Sequence, residues 1–159
     1  MPSTQMRSVS IVDAGPLYAV ADAREPRHAD CLALLRRRDL DLVIPSLVVT
    51  EVAQLMEKRL GPAAEAAFLR GLRVFEIEAP LVDEWPLIAD LVERYADFPL
   101  GTVDASAIVL ADRLGTDLIV TLDRRHFGAV ISPAGRRFRL LPELPAIHEE
   151  TAPYGGSGG

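Results

Sequence analysis

Short apolar runs of three to five residues alternate along this chain with longer stretches in which apolar positions recur every three or four residues. The runs have the length of buried strands and the stretches the period of helices. Strands are predicted at Val9 to Val12, Leu42 to Ile44, Val74 to Ile77, Leu118 to Leu122 and Phe138 to Leu141. Helices are predicted at Pro16 to Ala21, Arg27 to Arg38, about Leu47 to Leu60, Pro62 to about Leu72, Leu81 to Tyr95 and Val103 to Leu114. Ser46 is placed to cap the third of these, Gly61 to end it, and Pro62 to open the next. Strands alternating with helices in this way predict an α/β fold, a mostly parallel sheet with helices on both faces.

Composition narrows the class. A chain of 159 residues, 49% of them apolar, can bury one core and is short for two ordinary domains. A single domain is expected over residues 1–145. The remainder, 146–159, ends in TAPYGGSGG and reads as a flexible tail of the kind vector-derived sequence leaves. No apolar run approaches the roughly 18 to 20 residues of a membrane span, and the N-terminus has no signal-type stretch, so a cytoplasmic protein is expected. The one cysteine, Cys31, has no partner for an internal disulfide and is expected to pack.

The net charge of −6 argues against a surface that grips nucleic acid everywhere, because phosphate is held largely by Lys and Arg. Any such contact must be local. Lys58 is the only lysine, and the arginines gather at Arg36 to Arg38, at Arg124 and Arg125, and at Arg136, Arg137 and Arg139. Their planar forks suit phosphate, although Arg36 to Arg38 also suit a helix C-terminus.

Four acids stand where acids are costly. Asp13 follows the apolar run SVSIV and Asp123 follows LIVTL, and ligands of open α/β sheets bind beyond the carboxyl ends of strands. Each could equally cap a helix or form a turn. Asp104 lies near the start of GTVDASAIVLAD, a stretch apolar almost all round and therefore buried, where an ionised group needs partners or the helix dipole. Glu51, in SLVVTEVAQLMEKRL, falls at the edge of an apolar arc, where it could also snorkel to water. Brought into one crevice, such carboxylates repel one another, and a divalent cation relieves the conflict. Oxygen ligands without a His or Cys cluster favour Mg²⁺ or Mn²⁺ over Zn²⁺.

From about Val9 to Leu141 the chain resembles the PIN-domain family, through IVDAGPL with Asp13, VVTEV with Glu51, GTVDASAIVLADRLG with Asp104 and IVTLDRRHF with Asp123. The last two are similar in spacing and local sequence to VapC-type toxins of VapBC toxin–antitoxin pairs. The resemblance implies a three-layer α/β/α fold and a Mg²⁺- or Mn²⁺-dependent endoribonuclease. It implies Asp13, Glu51, Asp104 and Asp123 as metal ligands and catalytic acids, a VapB-like antitoxin that blocks the site, an RNA substrate and a homodimer. Many members carry Ser or Thr two residues after the first aspartate, where this chain has Gly15.

Thr121 and Ser106 could orient ligands from behind, or be a strand residue and a buried helix serine. Asp112 and Asp117 read as helix-surface and turn acids. Arg124 and Arg125 could reach an RNA backbone, and His126 could touch substrate, pack with Phe127 or cap a turn. Two rivals make other demands. A haloacid-dehalogenase phosphatase wants a second aspartate where Gly15 stands, and a receiver wants a lysine after a late strand, where this chain has none. An inactive PIN-like binding module would have no need of all four acids; metal-dependent RNA cleavage separates it from an enzyme.

Overall fold

The computed structural model describes residues 6–143, so the 146–159 tail and the first five residues lie outside the described part. Five strands, β1 (Ser8–Val12), β2 (Leu40–Pro45), β3 (Glu76–Glu78), β4 (Leu118–Val120) and β5 (Arg139–Leu141), form one sheet in the order β3-β2-β1-β4-β5. Every pairing is parallel, so the sheet is more uniform than the mostly parallel one expected. Seven α-helices fill the connections: α1 (Ala14–Ala21), α2 (His28–Leu35), α3 (Ser46–Leu60), α4 (Pro62–Gly71), α5 (Trp85–Arg94), α6 (Thr102–Arg113) and α7 (Arg124–Ala129).

The three-layer architecture follows from strict alternation in the central strands. Successive side chains of a strand point to opposite faces. Ile11, Val43 and Ile119 enter one core with Ile88 and Leu91 of α5, Ala107 and Ile108 of α6, and Phe127 of α7. Their neighbours Val12, Ile44 and Val120 enter the other with Leu17 and Tyr18 of α1, Leu34 of α2, and Val48, Val52 and Met56 of α3. All seven residues from Ala105 to Ala111 are buried, as the all-round apolar pattern of that helix required. Cys31 is buried in α2, the packing role expected of it.

Boundaries differ from the sequence reading where local bonding outweighs hydropathy. The second helix stops at Leu35, leaving Arg36 to Arg38 beyond its last turn, where Arg37 pairs with Asp39 at 2.6 Å. Ser46 is the first residue of α3 and not its cap; Pro45 holds the cap position, and no side chain bonds the free amides there. Gly61 ends α3 at φ +86°, a left-handed turn that suits glycine. The stretch from Leu81 splits into a 3₁₀ turn, Val82–Glu84, and α5, because the Glu84 carboxylate accepts the Leu81 N–H at 2.8 Å. Val74 belongs to a 3₁₀ turn, so β3 begins only at Glu76. The run LIVTL is a strand only as far as Val120. Among the described residues no helix is long and apolar enough to cross a membrane.

Central and edge strands should respond differently to truncation. Ile119→Ala removes a fully buried side chain from the middle of the sheet and should lower the unfolding free energy in urea by about 2 to 5 kcal/mol. Ile77→Ala, 40% exposed on the edge strand, should cost about 1 kcal/mol or less. Equal losses at the two sites would contradict this arrangement of the core.

Candidate active site at the carboxyl ends of β1 and β4

The chain leaves β1 for β2 on one side and reaches β4 on the other, so the strand order switches between β1 and β4. A crevice opens beyond the strand ends at such a point. The two strands pair as Ile11 with Ile119 and Val12 with Val120, and the ladder runs on to Asp13, whose N–H donates to the Val120 carbonyl at 2.9 Å. Asp13 therefore enters the crevice on rigid backbone, with its residue only 5% exposed. The Thr121 hydroxyl donates to Asp13 Oδ2 at 2.8 Å and accepts the Asp123 N–H at 2.9 Å. One buried hydroxyl thus fixes two of the four acids, the supporting role considered for it. Asp13 Oδ1 is buried with no hydrogen-bond partner.

The other acids come from three helices. Asp123 lies three residues past the end of β4, where it caps α7 by accepting the His126 N–H on Oδ1 at 3.0 Å. The cap alternative weighed for an aspartate after a strand is thus realised at Asp123, without removing it from the crevice. Asp104 stands in the first turn of α6 and Glu51 in α3. Asp13, Glu51, Asp104 and Asp123 line one crevice of about 710 Å³, together with Gly15, Arg124, Arg125 and His126. Glu51 is exposed on its wall, so the position at the edge of the apolar arc brings it to both water and the crevice.

The cost of this convergence shows in proton affinity. Burial raises the Asp104 carboxyl to about 6, and the charges of Asp13, Asp123 and Glu51 add to the rise against the pull of His126. Burial likewise raises Asp13 despite its bond from Thr121, and partial loss of hydration with the charge of Asp13 raises Glu51. His126 Nδ1 stands 2.7 Å from Asp123 Oδ2 and 3.6 Å from Asp104 Oδ2. Its alignment gives no hydrogen bond, so the contact is one of charge when the ring is protonated. This histidine meets the acids and the Phe98 ring, at 5.1 Å and 85° to it, rather than packing with Phe127.

Among the described residues no three His, Cys, Asp or Glu side chains close tightly enough to hold an ion by themselves. That spacing suits a cation that keeps part of its water and is held by one or two carboxylates, as Mg²⁺ is. The unpartnered Asp13 Oδ1 is the atom such a cation would satisfy.

The remaining candidates separate cleanly. Ser106 donates to the Val103 carbonyl of its own helix at 2.7 Å and does not line the crevice. Asp112 is more than a surface acid: it accepts the Ser132 hydroxyl at 2.7 Å and the Ala134 N–H at 2.9 Å, tying down the turn before β5. Asp117 makes two bonds of 2.9 Å with Arg139. A Cβ at Gly15 would stand 3.4 Å from Leu122 Cβ, an ordinary van der Waals contact, so the backbone there leaves room for a side chain. Sequence reasoning passed over α7 and Phe98; the cap at Asp123 was the one signal for the helix, and nothing near Phe98 announced its neighbours.

The raised Asp104 has a stability consequence whose sign is fixed. A carboxyl that ionises at about 6 when folded and near 3.8 when unfolded holds its proton more tightly in the folded state. Without divalent ions the folded protein should therefore lose stability as pH rises from about 4 to 7, then level off. Asp104→Asn should be more stable than wild type in EDTA at pH 7.5, by on the order of 1 to 3 kcal/mol, and show little difference near pH 4. Urea melts of both proteins at the two pH values measure it. A variant no more stable than wild type at pH 7.5 would overturn this account of the crevice.

Comparison with known proteins agrees with this geometry. The PIN domain family matches residues 10–130, a span that contains all four acids. The chain is 39% identical over 134 residues to Ribonuclease VapC26 of Mycobacterium tuberculosis, covering 83% of this chain and 99% of that protein. Among solved structures, VapC20 of Mycobacterium tuberculosis, a sarcin-ricin-loop-cleaving toxin, superposes with a TM-score of 0.67 at 19% identity, over 73% of this chain and 91% of that one. VapBC2 of Rickettsia felis, bound to a DNA fragment from its promoter, does so at 0.60 and 15% identity, over 83% and 96%. With a five-stranded parallel sheet between two helical layers and a family match over most of its length, the chain belongs to the PIN domain family.

Proposed function

We propose that this protein is the toxin of a toxin–antitoxin pair, a single-domain endoribonuclease that cuts RNA phosphodiester bonds with Mg²⁺ or Mn²⁺ at Asp13, Glu51, Asp104 and Asp123. The observation that carries the reading is the meeting of these four acids in one crevice at the switch point of the sheet. Its ribonuclease relative, 39% identical over 83% of this chain and 99% of its own length, supports the same chemistry.

Asp13, through its unbonded oxygen, and one of the neighbouring aspartates would hold the ion, with Thr121 setting the orientation of Asp13 and the backbone of Asp123. The bound ion supplies charge to the phosphoryl oxygens and makes an attacking water more acidic. Glu51, exposed and with its proton affinity raised, can take a proton from that water as the new P–O bond forms and the old one breaks. An aspartate that holds the cation would have its proton affinity lowered by the cation's charge and would be a poorer base.

The antitoxin partner has two features to engage. An arginine of such a protein can enter the acid cluster in place of the cation. A separate apolar groove of about 420 Å³, with Leu17, Val20, Leu35, Met56, Phe68 and Phe75 on its walls, suits the apolar face of an antitoxin helix. Leu81, Val82 and Trp85, exposed beside the edge strand, support a homodimer. An enzyme of this kind acts on RNA in the cytoplasm.

Glu51→Gln should fold normally and lower cleavage by about 100-fold, the scale seen when one charge-handling group leaves a comparable site. Glu57→Gln, exposed on the same helix, should cut like wild type. Cleavage rate against Mg²⁺ and Mn²⁺ concentration is the measurement, with 5′ ends of the cut RNAs sequenced after induction beside an Asp104→Asn control. Equal rates for the two glutamine variants at every metal concentration remove Glu51 from the site. Absence of divalent-dependent cleavage removes the nuclease.

A further inference from the structure

The crevice holds two arginines, and the structure gives them different work. Arg124 Nη1 donates to the Pro142 carbonyl at 2.7 Å, fastening α7 to the chain leaving β5. Arg125 makes no hydrogen bond or ion pair among the described residues. Its guanidinium instead lies over the Phe98 ring, 5.4 Å from the centroid. We propose that Arg125 is the substrate-phosphate clamp of this site and that Phe98 is its positioning residue. The proposal rests on the ribonuclease reading above and goes beyond it by separating a structural arginine from a binding one.

Charge makes a clamp necessary. A phosphodiester entering a crevice with four carboxylates is repelled by each of them, and a divalent cation offsets only part of that charge. The attraction must come from the lip, where Arg125 is exposed, two residues beyond Asp123. An arginine on an aromatic face keeps the donors along its edge free, and its plane is set by the stack. Those donors match two phosphate oxygens at once.

The platform is held from several sides. The Phe98 N–H donates to the Tyr95 carbonyl at 2.9 Å, and the Tyr95 hydroxyl accepts the Ile131 N–H at 3.0 Å. The His126 ring meets Phe98 at right angles, 5.1 Å away. Leu100, buried just beyond, leads into the helix that carries Asp104. Phe98 thus links the arginine at the lip to both the segment entering α6 and the first turn of α7, so the clamp keeps a fixed distance from the acids.

The test is binding, in an Asp104→Asn background with Mg²⁺ so that the probe is not cut. The probe is a fluorescein-labelled, mixed-sequence single-stranded RNA, followed by anisotropy between about 50 and 200 mM salt. Arg125→Ala should bind about ten-fold more weakly, as expected for one lost charged hydrogen-bonding pair. It should also reduce the slope of log affinity against log salt by about 0.7, the value for one phosphate contact on a single strand. Arg124→Ala should lower the melting temperature and leave that slope within error of the parent. Phe98→Leu keeps the charge but loses the face, and should weaken binding several-fold, with Phe98→Tyr restoring it. Parent-like affinity and slope in Arg125→Ala overturn the clamp while leaving the nuclease standing. Parent-like binding by Phe98→Leu overturns the positioning role, and no binding by the parent overturns the clamp together with the reading beneath it.

Discussion

Asp13 is buried at the end of the central strand with one oxygen bonded and the other without a partner, and much of the molecule is arranged around that carboxylate. The β1–β4 pairing carries the ladder one residue past β1, because the Asp13 N–H donates to the carbonyl of Val120 at the end of β4, so the aspartate sits on fixed backbone. Thr121 is spent on it, and the N-terminus of α6 brings Asp104 to the same space. A sheet optimised only for stability would place a hydrophobic or neutral polar side chain here. Retaining an underbonded carboxylate beside three further acids is the kind of local conflict that marks a site shaped for function rather than for packing.

The same constraint explains why so much was legible in the sequence. A strand buried on both faces must be apolar throughout, so SVSIV and LIVTL stand out, and the aspartates after them are conspicuous. Asp104 is legible for a related reason, being a half-buried charge directly before the buried run Ala105 to Ala111 of α6. The expected helices on both faces of the sheet follow too, since neighbours such as Ile11 and Val12, or Ile119 and Val120, face opposite helical layers. Glu51 was left ambiguous, and the structure shows why: it is exposed and lines the crevice at once.

What stayed hidden depends on bonds between distant residues. LIVTL reads as five strand residues, yet the strand ends at Val120; the Thr121 N–H still donates to the Leu141 carbonyl, while its hydroxyl bonds Asp13 and the Asp123 amide. Period alone cannot report a bond between residues 108 positions apart. The short helix α7 is too brief for a hydropathy period and exists because the Asp123 side chain caps it, so a single residue serves as both cap and crevice acid. The pairing of Phe98 with His126 and Arg125 joins two segments with no shared pattern.

The arginines show how an acidic protein can still work on RNA. Three of the arginines that look like phosphate grips in the sequence are neutralised within the chain: Arg37 by Asp39, Arg136 by Asp112 and Arg139 by Asp117. Pairs this exposed add little stability each, about 0 to 1 kcal/mol, so their main effect is to cancel positive field over the outer surface. With a net charge of −6, no long-range attraction then draws a polyanion to the molecule as a whole. Within about one Debye length, roughly 8 Å at physiological salt, the balance is decided by the groups at the crevice alone. The acids, their cation and the Arg125 guanidinium that meet there therefore decide how RNA is held at the site.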